Sequence, residues 1–195
     1  MGSRFSVTAV TTPGHTGNHI CYALAEENAL FSGDHVMSWS SSIVSPPEGD
    51  MLAYYRSLRR VMSRNDAFYL PGHGPKLPEP QNLAAELLAH RQKRENAILA
   101  ALQIQDWSIA ALAHELYAKS DPSLKVAATR NVLAHMLKLK AEHKVTELAP
   151  DTQLHPDIAS LPDRPPGPLP PGVTMATVSQ SRSDTLRRFA LARAA

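Results

Sequence analysis

Thr12-Pro13-Gly14-His15-Thr16, Ser32-Gly33-Asp34-His35 and Leu70-Pro71-Gly72-His73-Gly74 each follow a short apolar run and each set a histidine or aspartate beside a glycine. Histidine and aspartate supply the nitrogen and oxygen donors that zinc accepts, and loops at strand ends can bring such donors together from distant positions. A glycine has no Cβ, so it lets the backbone turn tightly and approach a metal closely. One such stretch alone is weak. Three in order, nineteen and thirty-nine residues apart from His15 to Asp34 and from Asp34 to His73, form a constellation.

The surrounding sequence predicts the elements that carry these loops. Phe5 to Thr12 alternates Phe5, Val7 and Ala9 and then Val10 with small polar residues, which predicts a half-buried strand ended by Pro13-Gly14. Ile20 to Ala25 and Ala29 to Ser32 predict a hairpin turned at Glu26-Glu27-Asn28. Met51 to Arg64 carries Leu52, Tyr55, Leu58 and Met62 at helical spacing, with Asp50 as N-cap, and Ala67 to Leu70 reads as a short buried strand. Strand, hairpin, helix, strand is an α/β order.

From Pro80 the pattern becomes helical: Asn82 to Gln103, Ser108 to Lys119 and Leu124 to Glu142, then a short strand within His143 to Leu148. Three helices followed by a β-wing is a winged-helix arrangement. Leu87, Ile98, Leu102, Leu112, Leu116, Val132 and Leu139 are its expected core. Pro150 to Pro171 holds much of the proline and predicts an extended linker, and Ser179 to Ala195 an arginine-containing tail, helical or solvated. The expected units are 1–81, 82–149 and 150–195.

Composition narrows the function classes. Of 195 residues 43% are apolar and 19% charged, which describes a globular chain. A net charge of +2 is too small to draw a polyanion by long-range attraction. The single Cys21 excludes an intramolecular disulfide framework and a multi-cysteine zinc site, so any metal must be held by histidine and carboxylate. No run approaches the roughly 20 apolar residues of a membrane span, and no secretory leader is visible, so the expectation is a cytoplasmic chain.

The three loops, with Asn18-His19-Ile20-Cys21, Trp39-Ser40-Ser41, Pro46-Pro47-Glu48-Gly49-Asp50-Met51 and Ser57-Leu58, resemble metallo-β-lactamase-fold hydrolases. The likeness is to the branch that includes the β-lactamase-like protein 2 group, which has a C-terminal winged-helix domain. Arg91 to Glu95 and Asn131 to Leu139 resemble that domain. The resemblance implies the C-terminal half of an αββα sandwich followed by a small winged-helix domain and a proline-rich tail. It implies two zinc ions, with His15 binding the first, Asp34 bridging both and His73 binding the second. His19 and His35, beside the ligand loops, are expected to hydrogen-bond around the site. The implied substrates are small-molecule esters, thioesters or lactones, or a nucleic acid.

The His-x-His-x-Asp-His signature that the resemblance places upstream of His15 has no counterpart in the fourteen residues before it. Each metal therefore keeps two protein ligands, where a catalytic zinc takes about three. The chain reads as truncated. Alone it is expected to hydrolyse nothing efficiently, and to self-associate or accept a complementing chain along its open sheet. Arg130, Lys138, Lys140 and Lys144 are the candidates for weak nucleic-acid contact, against the alternative of a helix face packed on the first unit.

Overall fold

The computed structural model describes residues 5–119, 121, 125–149, 184 and 187–192. The proline-rich stretch, Leu124, Arg182 and Arg193 lie outside them.

The first unit is a five-stranded sheet ordered β1-β2-β3-β4-β5, from β1 (Val7–Thr11), β2 (Ile20–Leu24), β3 (Ala29–Gly33), β4 (Phe68–Pro71) and β5 (Leu77–Pro78). β2 and β3 form the expected hairpin, with Tyr22 opposite Phe31, and Asn28 in the turn takes a positive φ of 49°. β3 and β4 run parallel, which requires a crossover. Helix α1 (Met51–Met62) lies in that crossover. Asp50 caps it as expected, its Oδ1 accepting from the Ala53 N–H at 2.9 Å. The buried face of α1, Tyr54, Tyr55, Leu58 and Val61, joins Cys21, Ala23, Leu30 and Tyr69 in one core. Burial contributes roughly 1.5–3 kcal/mol for each large apolar side chain.

The other face of this sheet departs from the expectation for β1. Phe5 and Val7 are 65% and 49% exposed, and Ile20, Tyr22 and Phe31 beside them are exposed as well. Of the alternating residues only Val10 packs on the core. β1 is an edge strand, and among the described residues no layer covers the side opposite α1. Alternation identifies a two-faced strand but not which face meets a partner.

Helix α2 (Pro80–Ile104) joins the two units. Its first half sends Ala84 and Leu88 into the first core, and its second half sends Ile98 and Leu102 into a second core. Leu87, expected in the second core, packs on the first, because a helix of 25 residues outreaches either one. The second core also takes Leu112 of α3 (Ile109–Leu116) and Val132 and Leu139 of α4 (Lys125–Ala141), with Leu116 packed against it. Ser108 caps α3, accepting from the Ala111 N–H at 3.2 Å.

The wing has three strands in the order β6-β8-β7, namely β6 (Trp107–Ser108), β7 (Val145–Leu148) and β8 (Arg188–Leu191). The segment containing β8 was expected to be a helical or solvated tail, but these residues form the central strand of the wing. Phe189 is fully buried between Trp107 and Glu147 in register. Arg187 closes the strand onto β7 with two bonds to Glu147, at 2.5 and 2.8 Å. A four-residue strand with one aromatic anchor leaves too short a pattern to distinguish it from a tail.

Candidate metal centre

The loop after β1 is laid on α1. The Asp50 N–H donates to the Gly14 carbonyl at 2.9 Å and Ser57 Oγ to the Pro13 carbonyl at 2.7 Å. Gly14 has a φ of 146°, and a Cβ there would collide with the backbone of Tyr54. This contact delivers His15. Its Nδ1 lies 2.6 Å from the Ile43 carbonyl. A carbonyl only accepts, so Nδ1 carries the proton, and Nε2 is the nitrogen left to bind a metal.

His15 Nε2 faces Asp34 Oδ2 at 3.7 Å, and His73 Nε2 faces the other oxygen, Oδ1, at 3.5 Å. Asp34 follows Gly33, whose φ of 53° turns the chain out of β3. A Cβ on Gly72 would lie 2.6 Å from Asp34 Oδ1, so the carboxylate occupies space that only a glycine leaves open. The Gly72 N–H also donates to the Gly33 carbonyl at 2.9 Å, holding the two loops together. The three residues expected as ligands therefore converge, with each oxygen of one carboxylate turned to a different imidazole.

The donor set fits a divalent cation. A lone pair of a neutral imidazole and a carboxylate oxygen repel one another at this distance unless a cation or a proton lies between them. Nitrogen with oxygen suits zinc, and a backbone carbonyl on the remote ring nitrogen is the usual means of orienting a ligating histidine. The set is incomplete: among the described residues no group of three or more His, Cys, Asp or Glu side chains is arranged to hold one ion. Each imidazole and carboxylate pair offers two donors.

His19 stands at the edge of this cluster, its ring centroid 6.3 Å from that of His15 and its Nδ1 2.8 Å from Thr12 Oγ1. Burial, reinforced by His15 and opposed by Asp34, lowers its pKa, so it stays neutral at physiological pH. His35 is different. Its ring is fully buried edge-on to Tyr54 at 5.0 Å, neither ring nitrogen has a hydrogen-bond partner among the described residues, and burial followed by His19 pushes its pKa down to about 3. The ring thus makes none of the hydrogen bonds expected of it among the described residues, and only the backbone carbonyl accepts, from Tyr54 at 3.0 Å and Ser42 at 2.9 Å.

Sequence reasoning passed over the residues that hold this cluster in place. Ser42 Oγ donates to the Asp34 carbonyl at 2.5 Å, Ser38 Oγ to the His73 carbonyl at 3.4 Å, and the Ile43 carbonyl orients His15. Arg91 of α2, almost fully buried, donates to the Ser42 carbonyl and, at 2.8 Å, to Asn131 Oδ1 of α4. Serine hydroxyls and a carbonyl in a loop carry no motif, so only the fold exposes them.

The four basic residues proposed for nucleic acid face carboxylates or backbone. Lys138 is buried between Glu95 and Glu142, both at 2.8 Å. Lys140 meets Glu147 at 2.5 Å, Lys144 meets Glu142 at 2.9 Å, and Arg130 binds Ser45, the Pro46 carbonyl and Asp184.

A model of the metallo-beta-lactamase superfamily matches residues 1–73, and one of the beta-lactamase associated winged helix domain matches residues 108–151. The chain is 32% identical over 131 residues to the Beta-lactamase-like protein 2 homolog of Caenorhabditis elegans, covering 67% of this chain and 43% of that protein. It is 37% identical over 98 residues to the Atrochrysone carboxyl ACP thioesterase of Aspergillus fumigatus, covering 50% of this chain and 30% of that protein. The chain thus spans less than half the length of the curated relatives it matches. A crystal structure of a metallo-beta-lactamase family protein from Thermus thermophilus superposes with a TM-score of 0.65 at 27% identity, over 74% of this chain and 47% of that one. By these matches this chain belongs to the metallo-β-lactamase superfamily and carries its associated winged helix domain.

Proposed function

We propose that the chain contributes His15, Asp34 and His73 to a binuclear zinc centre that hydrolyses an ester or thioester. The observation that carries this reading is the Asp34 carboxylate, whose two oxygens face two different imidazoles at 3.7 and 3.5 Å. When bound, zinc supplies an activated water and Lewis acidity toward the acyl carbonyl. His15 is held in the ligating tautomer by Ile43, and Asp34 is fixed by Ser42 and by the space at Gly72. Kinship with a protein named as an acyl-carrier thioesterase favours a thioester among the implied substrates. Lactones remain within the same acyl chemistry.

Two donors per ion hold a metal weakly, so the remaining ligands come from polypeptide outside these residues. The exposed apolar face formed by Phe5, Val7, Ile20, Tyr22 and Phe31 offers that polypeptide a surface to cover. A nucleic-acid role through α4 is the weaker reading, since Lys138 is buried and Arg130, Lys140 and Lys144 are engaged internally.

The test is zinc affinity by chelator competition for the chain and for His15→Ala, Asp34→Asn and His73→Ala, with turnover of ester, thioester, lactone, β-lactam and RNA substrates alongside. Zinc bound weakly by the parent and lost in each variant supports the proposal. Zinc bound equally by all four chains overturns it.

A further inference from the structure

Loop 38–45 touches each ligand-bearing stretch: Ser38 the His73 carbonyl, Ser42 the Asp34 carbonyl, and Ile43 the His15 ring. The same loop holds two large apolar side chains out to solvent. Trp39 is 71% and Ile43 64% exposed, among the most exposed apolar side chains described. Trp39 lies against Gly74, beside His73, where an added Cβ would stand 3.5 Å from the indole Cδ2 and collide with Ser38. On the side of Ile43, a cleft of about 190 Å³ runs to Arg91, Tyr117 and Asn131 of the helical unit. An exposed tryptophan and isoleucine cost solubility, and these two sit on a loop otherwise rich in serine.

Resting on the acyl-hydrolase reading above, we propose that Trp39 and Ile43 are specificity residues that grip the apolar acyl or aryl part of the substrate. The loop couples the two functions. Its backbone and hydroxyls hold the metal ligands, and its two apolar side chains stand next to where the scissile carbonyl must lie. A short acetyl group leaves both side chains in water, whereas a medium-length chain or an aromatic ring covers them. Discrimination by apolar contact grows with each methylene buried.

The chain has two tryptophans, so Trp107→Phe leaves Trp39 as the sole indole reporter. Butyrate and decanoate, acyl products of short and medium length, are titrated against this variant with and without zinc while Trp39 emission is followed. Calorimetry on the unaltered chain gives the same affinities should Trp107→Phe fail to fold. Decanoate is expected to bind about tenfold or more tighter than butyrate and to shift Trp39 emission to the blue. Trp39→Ser and Ile43→Ser, followed by calorimetry, should each lose about tenfold in decanoate affinity, and Trp39→Ser should leave zinc affinity within about twofold. Equal binding of the two acids, or decanoate affinity unchanged in both serine variants, overturns the proposal. Zinc affinity in the same samples judges the metal reading separately. A chain that binds no zinc yet prefers decanoate through Trp39 sinks the metal centre and keeps the apolar grip.

Discussion

Replacing Arg91 by methionine should damage the proposed metal centre from the far side of loop 38–45. Arg91 donates to the Ser42 carbonyl and to Asn131, and its guanidinium lies 5.6 Å from the Tyr54 ring centroid. Hydrogen bonds from a charged donor contribute about 1.5–3 kcal/mol each, and losing them leaves the buried Ser42 carbonyl unpaired. Methionine refills much of the apolar stem volume, which sets the expected loss at the lower end for two bonds, about 3 kcal/mol in guanidinium unfolding. Ser42 also holds Asp34, and its neighbour Ile43 holds His15, so the loosened loop should lower zinc affinity by about tenfold to a hundredfold. Arg91→Lys keeps the charge but not the fork, and should fall between the two. Zinc affinity unchanged despite the full stability loss would refute the bracing of the centre by α2.

The remaining expectations concern the scaffold. Phe189→Ala should cost about 3–5 kcal/mol in denaturant unfolding, the usual range for a buried phenylalanine, and a loss under about 0.5 kcal/mol would show that β8 does not complete the wing. By the same token the excised segment 82–148, lacking Phe189, should show helical circular dichroism but a lower thermal midpoint than 82–195. Burial raises Glu95, but His135, 3.7 Å away, and the Lys138 ammonium, bonded at 2.9 Å, outweigh this and hold it at about 2 against an ordinary value of 4.5. Its folded pKa being depressed, its stabilisation is complete above about pH 4.5 and disappears as pH falls toward 2; the acid limb of stability should be shallower in Glu95→Gln, and identical limbs would rule this out. Burial raises the Cys21 thiol to about 11, so folded protein at pH 8 should resist iodoacetamide while unfolded protein reacts; rapid alkylation of the native chain would contradict its placement.

Much of the first unit is legible in sequence because each signal is local. Asp50 before an amphipathic run, Asn28 in a hairpin turn, and a glycine beside each of His15, Asp34 and His73 act within a few residues. What escapes is non-local or carried by backbone. β8 pairs with β7 across about forty residues, and no periodicity in Arg188–Leu191 announces it. The orientation of His15 depends on a carbonyl, which every residue has, so Ile43 leaves no mark on the sequence. His35, one residue from Asp34, invited a role at the site, yet the twist of the loop sends its ring inward to Tyr54.

The winged unit is better understood as a brace than as an arm for a polyanion. Two cations of its third helix turn inward: Lys138 to Glu95 and Glu142, and Arg130 to Ser45, Pro46 and Asp184. Arg130 and Arg91 therefore meet the same loop at two points, Ser45 with Pro46 and Ser42, four residues or fewer apart. Between those anchors stands Ile43, which orients His15. A loop fixed at both flanks by a second unit is held more tightly than its own short length allows, because the ordering entropy is offset by buried, charge-assisted bonds. Any metal chemistry at His15 and Asp34 is thus conditioned by α2 and α4, and a change that loosens the helical unit should be felt at the ligands before the sheet itself gives way.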